Sequence, residues 1–73
     1  MEKERFNQAC RSLRHGQIVR VSLISGGQVE GMPLRHVLAD IHDGSLELDT
    51  RNGIINLLSS TIANIEPISQ THI

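Results

Sequence analysis

Six side chains in this sequence are candidates to grip an anion or the edge of a nucleobase: Gln8, Arg11, Arg14, Arg35, His36 and Arg51. A guanidinium forks onto phosphate or carboxylate in a way that an ammonium does not. Imidazole stacks, and it gains a charge below about pH 6.5. Lys3, Asn7, Arg11 and Arg14 recur at spacings of four, four and three, which on a helix makes one polar stripe. That stripe suits RNA phosphate and equally suits a solvated helix face. Arg35 and His36 follow a glycine–proline interruption, and Arg51 lies in a turn beside Asn52-Gly53. Asn52 is accounted for by that turn alone, which leaves Arg51 for a functional role. His36, Asp40, His42 and Asp43 match no metal-ligand spacing, and a strand would splay them to both faces, so no metal is expected.

Catalytic sets are missing from the sequence. It has no carboxylate pair in an apolar setting, no nucleophile elbow and no phosphate loop. Gly26-Gly27 opens no helix and reads as a turn. A 73-residue chain also has little volume for a substrate pocket of a few hundred Å³. Neither an enzyme nor a cofactor is expected.

The elements that hold the six residues follow from periodicity. Phe6, Ala9, Cys10 and Leu13 have the i, i+3, i+4, i+7 spacing of one helix face. The spacing predicts a helix over about 2–15, stopped by a left-handed Gly16. The period then changes to two. Val19, Val21 and Leu23 alternate with Arg20 and Ser22 as a half-buried strand, with Ile18 and Ile24 adding apolar surface on the other side. Ser25-Gly26-Gly27-Gln28 is a hairpin turn. Val29 resumes the strand until Gly31 and Pro33 force a bend. The second strand is expected to resume over Val37–Ile41. Asp43-Gly44 and Asn52-Gly53 are hairpin signals, flanking the alternating Ser45-Leu46-Glu47-Leu48-Asp49. Ile54–Leu58 is a mostly apolar strand, Ser59-Ser60-Thr61 a tight turn, and Ile62, Ile65 and Ile68 mark a last strand ended by Pro67. One helix and five short strands without a long loop predict a closed small barrel over about 17–68, since closure removes strand edges. Residues 69–73 are expected to fray.

Composition bounds the rest. The chain is one small domain, 1–73, with a net charge of −1 and thus no overall basic field. One Phe, no Tyr and no Trp rule out a base-stacking platform built on several aromatics. A single cysteine forms no internal disulfide and suits a reducing cytoplasm. MEKERF mixes charges and does not read as a signal peptide, and no apolar run approaches the roughly 20 residues of a membrane helix. A core this small usually needs a partner subunit.

Helix followed by five bent antiparallel strands resembles the Sm-like small barrel. VRVSLISGGQVEGMPL is similar to the first Sm signature: alternating strand, glycine turn, then hydrophobic-x-Gly-hydrophobic. Two bacterial branches are nearest. The Hfq branch resembles Phe6-Asn7-Gln8, Val29-Glu30-Gly31 and Ile62-Ala63-Asn64-Ile65-Glu66-Pro67. The Rof branch of Rho-binding antiterminators resembles Ala9-Cys10, Val21 to Leu23, Val29-Glu30-Gly31 and Leu46-Glu47-Leu48-Asp49. Where Hfq-type proteins carry Tyr-Lys-His, this chain has Leu58-Ser59-Ser60. The acidic Tyr-Cys-Asp-Tyr opening of Rof-type proteins is replaced by MEKERF. The Hfq-like resemblance implies a cytoplasmic ring, self-associating through strand edges and binding single-stranded RNA. In that reading the RNA-facing residues are Gln8, Arg11, Arg14, Arg35, His36 and Arg51. The Rof-like resemblance implies instead a regulator that binds a protein such as a termination factor.

Overall fold

The computed structural model describes residues 1–14 and 16–68. The tail expected to fray, 69–73, and His15 lie outside them. One helix, α1 (Lys3–Arg11), precedes five strands: β1 (Val19–Leu23), β2 (Gln28–Val37), β3 (Ser45–Thr50), β4 (Gly53–Leu58) and β5 (Ile62–Pro67). A 3-10 turn, Ser59–Thr61, joins the last two strands. All strands pair antiparallel in one sheet with the order β4-β3-β2-β1-β5. No described helix is long and apolar enough to cross a membrane.

The alternation of β1 is used as written: Val19 and Val21 are buried. β2 is the strand that organises the sheet. Its first residues pair with β1, Gln28 to Ser22 and Gly31 to Val19, and its later ones pair with β3, Met32 to Asp49 and Val37 to Ser45. The hand-over falls at Gly31 and Met32, and the register shifts between Pro33 and Arg35. A proline lacks the ladder N–H, so it belongs where the ladder is interrupted. Gly31 is needed for space. A Cβ there would lie 2.7 Å from the Asp49 carbonyl oxygen and 3.1 Å from Thr50 Cγ2.

Phe6 and Cys10 of α1 are buried against Val19, Val21, Leu46, Leu48 and Ile62, with Ala39 alongside. Each fully buried large side chain contributes about 1.5–3 kcal/mol. Truncating Phe6 to alanine would cost about 3–5 kcal/mol.

Four expectations need correcting. The helix ends at Arg11, well short of residue 15. Ser12 Oγ donates to the Gln8 and Ala9 carbonyls at 3.1 and 3.0 Å, and Leu13 N–H turns to Cys10 O at 3.2 Å, so the ladder tightens and stops. Gly16 does have φ +81°, but it lies beyond the true end. The strand expected over Val37–Ile41 is also absent. β2 runs unbroken to Val37, and 38–44 is a loop. Asn7 occupies the backbone of Ala39 from both sides, donating to its carbonyl and accepting from its N–H, each at 2.6 Å. Lys3 Nζ donates to the Asp40 and Ile41 carbonyls at 2.9 and 3.0 Å. Backbone groups held by helix side chains have no need of a strand partner. Asp43-Gly44 is therefore no two-residue hairpin.

Finally, the sheet is not closed. Among the described residues β4 pairs only with β3 and β5 only with β1. The 3-10 turn leads the chain from one end of the sheet to the other. Because α1 covers the inner apolar row, burial is reached without joining the two edges.

Candidate nucleic-acid interface

Beyond Ser12 the chain makes a tight turn, with Gln17 N–H donating to Arg14 O at 3.2 Å and Arg14 N–H to Gln17 Oε1 at 3.3 Å. That turn carries Arg14 to the late half of β2. Leu13, Arg14, Pro33, Leu34, Arg35 and His36 line one open hollow of about 210 Å³. Three of the six candidate residues thus meet, although 21 positions of sequence separate Arg14 from Arg35. All three are exposed. The cross-strand register sets them apart within β2: Arg35 stands opposite Glu47, His36 opposite the buried Leu46. Among the described residues the ion pairs belong to Arg20, which reaches Glu30 at 2.9 Å and Glu66 at 3.6 Å. Arg20 is thereby committed to its neighbouring strands, while the Arg14 and Arg35 guanidinium groups remain available to an anion.

Gln8 is elsewhere on α1. With Arg5, Ser12, Asn64 and Ile65 it lines a hollow of about 240 Å³ between helix and β5. A third hollow, about 280 Å³, adjoins both. It shares Ser12 and Ile65 with the Gln8 side, and Leu13 and Arg14 with the cationic side. The three make a groove along one flank of α1, from Arg5 and Gln8 to Arg35 and His36. Arg5 is a groove residue outside the six candidates. Its signal in the sequence is the i, i+3 spacing to Gln8, masked by the more regular Lys3–Asn7–Arg11 stripe.

That stripe divides in the structure. Lys3 and Asn7 are loop anchors. Arg11 is exposed at the last turn of the helix, and Arg14 lies beyond it. Arg51 is exposed in the β3–β4 turn. It follows Glu47, the partner of Arg35, by four positions, about 13 Å along a strand, so it does not join the hollow. Thr50 Oγ1 shapes that turn, accepting from Asn52 N–H at 3.1 Å and donating to Gly53 O at 2.6 Å, with Gly53 at φ +117°.

Cys10 takes no part. It is 1 % exposed, and burial pushes its thiol up to about 11, so the neutral, unreactive form prevails at neutral pH.

What the fold and groove define is a small β protein: an open five-stranded sheet, capped by one helix, with a cationic flank. Compared with protein-family models, with characterised proteins and with solved structures, the chain matches none.

Proposed function

We propose that this chain is an Sm-like protein that binds single-stranded RNA as a homo-oligomeric ring. The observation that carries the reading is the meeting of Arg14, Arg35 and His36 around one hollow, with Arg5 and Gln8 further along the same flank. Free guanidinium groups over an apolar floor suit phosphates with a base or sugar laid between them. A shallow groove takes splayed bases and does not read a duplex. With so little aromatic surface, phosphate contacts dominate and affinity falls steeply with salt.

The Sm-like part of the reading rests on the sequence resemblance and on the order of one helix followed by five antiparallel strands, and the open sheet supports assembly. β4 and β5 each present an unpaired edge, and such edges pair between copies. Joining β4 of one copy to β5 of the next is head-to-tail and closes into a ring if the rotation permits. A ring then gathers weak sites into one multivalent surface.

Fluorescence anisotropy with labelled A-rich and U-rich oligonucleotides at low salt tests the proposal. Arg14→Ala with Arg35→Ala should weaken binding for both sequences and flatten the salt dependence, by about 0.7 in log–log slope for each phosphate no longer neutralised. If neither oligonucleotide binds at protein concentrations on the order of tens of micromolar, the RNA reading fails and the Rof-like, protein-binding reading replaces it.

A further inference from the structure

The loop after β2 carries a second surface, of opposite chemistry. Val37, Leu38, Asp40, Ile41, His42 and Asp43 line a hollow of about 250 Å³. Its lips are apolar: Ile41 is 79 % exposed and Val37 55 %. Large aliphatic side chains held this far into water usually mark a contact surface when they cluster.

The loop is also tied down at several points. Asn7 clamps Ala39, and Lys3 holds the Asp40 and Ile41 carbonyls. Asp40 N–H donates to His42 O at 3.2 Å. Ser60 Oγ donates to Asp43 Oδ2 at 2.9 Å. A surface already fixed in shape loses little entropy when something docks on it.

The charges decide what docks. Lys3 is the cation that faces the loop from α1, and its contacts are to backbone carbonyls. The ion pairs among the described residues involve neither Asp40 nor Asp43. Two carboxylates beside an apolar lip repel phosphate and attract a cation. RNA is therefore the wrong occupant here, although Val37 adjoins the cationic hollow through His36.

We infer that residues 37–43 form a docking lip for a protein segment that presents an aliphatic side chain next to a lysine or arginine. The aliphatic group packs among Val37, Leu38 and Ile41. The cation pairs with Asp40 and Asp43. This inference stands independently of the RNA reading.

The test titrates the ¹⁵N-labelled full chain with a capped Gly-Leu-Lys-Leu-Arg-Gly peptide, and with its counterpart bearing glutamate in place of lysine and arginine. The basic peptide should shift amides confined to 37–43 and the glutamate peptide should not. Asp40→Asn with Asp43→Asn, which keeps the shape and an acceptor for Ser60, should weaken binding about tenfold. Ile41→Ser should weaken it too, and Arg14→Ala with Arg35→Ala should leave it unchanged. Absence of shifts at millimolar peptide, shifts centred elsewhere, equal binding of the glutamate peptide, or shifts centred on 40–43, away from His36, produced by a U-rich oligonucleotide would each overturn the inference.

Discussion

Gly44 offers the sharpest quantitative test of the architecture. A Cβ added there would lie 2.5 Å from Val37 O, 2.6 Å from Phe6 Cε2 and 2.7 Å from Ala39 N. Two of these are backbone atoms, which have no rotamer to escape into. The third belongs to a ring with 0 % exposure at the centre of the core. Gly44 also exchanges bonds with Ser59, its N–H going to Oγ at 3.2 Å and its carbonyl accepting from Ser59 N–H at 2.9 Å. Overpacking costs about 1–3 kcal/mol, sometimes more, and disturbing a buried hydrogen bond adds about 1 kcal/mol. Gly44→Ala should therefore cost about 3 kcal/mol. In a domain this small, each kcal/mol lowers the melting temperature by about 4–8 °C, so the midpoint should fall by more than about 12 °C. Gly27→Ala is the control. Its Cβ would have Leu23 Cδ1 at an ordinary 3.7 Å, and stability should stay within about 0.5 kcal/mol. Thermal melts followed by far-ultraviolet circular dichroism measure both. If Gly44→Ala melts within a few degrees of the parent and of Gly27→Ala, the close approach of α1, the loop and β2 is wrong.

Gly31→Val should lose more than about 1 kcal/mol in the same melts, because the Asp49 carbonyl closes on the added Cβ; an unchanged midpoint would count against the tight hand-over in β2. Ile54 and Leu58 are 64 % and 47 % exposed on the β4 edge, so Ile54→Lys with Leu58→Lys should leave the fold intact and block edge pairing. Sedimentation should then give a monomer where the parent is an oligomer, and a monomeric parent at micromolar concentration refutes the assembly. Burial raises the Cys10 thiol from 9.0 to about 11, so the folded state holds the proton more tightly than the unfolded chain. The associated stability is fully present below pH 9.0 and is lost as pH rises through about 11. Denaturant midpoints should decline over that window and do so less in Cys10→Ala; equal declines refute the buried thiol.

Period-two alternation made β1 and β3 legible, because each has one buried face; β5 was marked instead by its spaced isoleucines between the Ser59–Thr61 turn and Pro67. The first glycine turn was legible too: Gly26 takes φ +104°, and Leu23 N–H reaches Gly27 O at 2.8 Å. What failed was anything decided by a distant side chain. Val37 to Ile41 has strand composition, yet Asn7 and Lys3 capture its backbone from 32 to 38 residues away. Gly44 has the sequence context of a turn residue and is a close-packing residue. A solvated stripe and a pair of loop anchors look alike when only helix spacing is visible. Closure of the barrel was an inference from strand count, and strand count says nothing about a helix that covers the inner face instead. The candidate residues could be named by type, but the meeting of Arg14 with Arg35 and His36 depends on where the helix ends, and Ser12 sets that locally against the expectation from Gly16.

The sheet order has a bearing on how the chain reaches its structure. The β1–β2, β2–β3 and β3–β4 ladders join neighbours along the chain, and their turns close short loops. β5 instead returns to β1, pairing Leu23 with Ile62 and Val19 with Pro67, so a long stretch of chain must be gathered before its first bond forms. Loop-closure entropy rises only slowly with length, but it must be met before the long-range contacts give anything back. Three hairpins can therefore form early and in any order, while the β1–β5 seam waits for them. Until it closes, β1 has an open flank of its own, and a nascent chain carries that vulnerable edge until its last described strand has been synthesised.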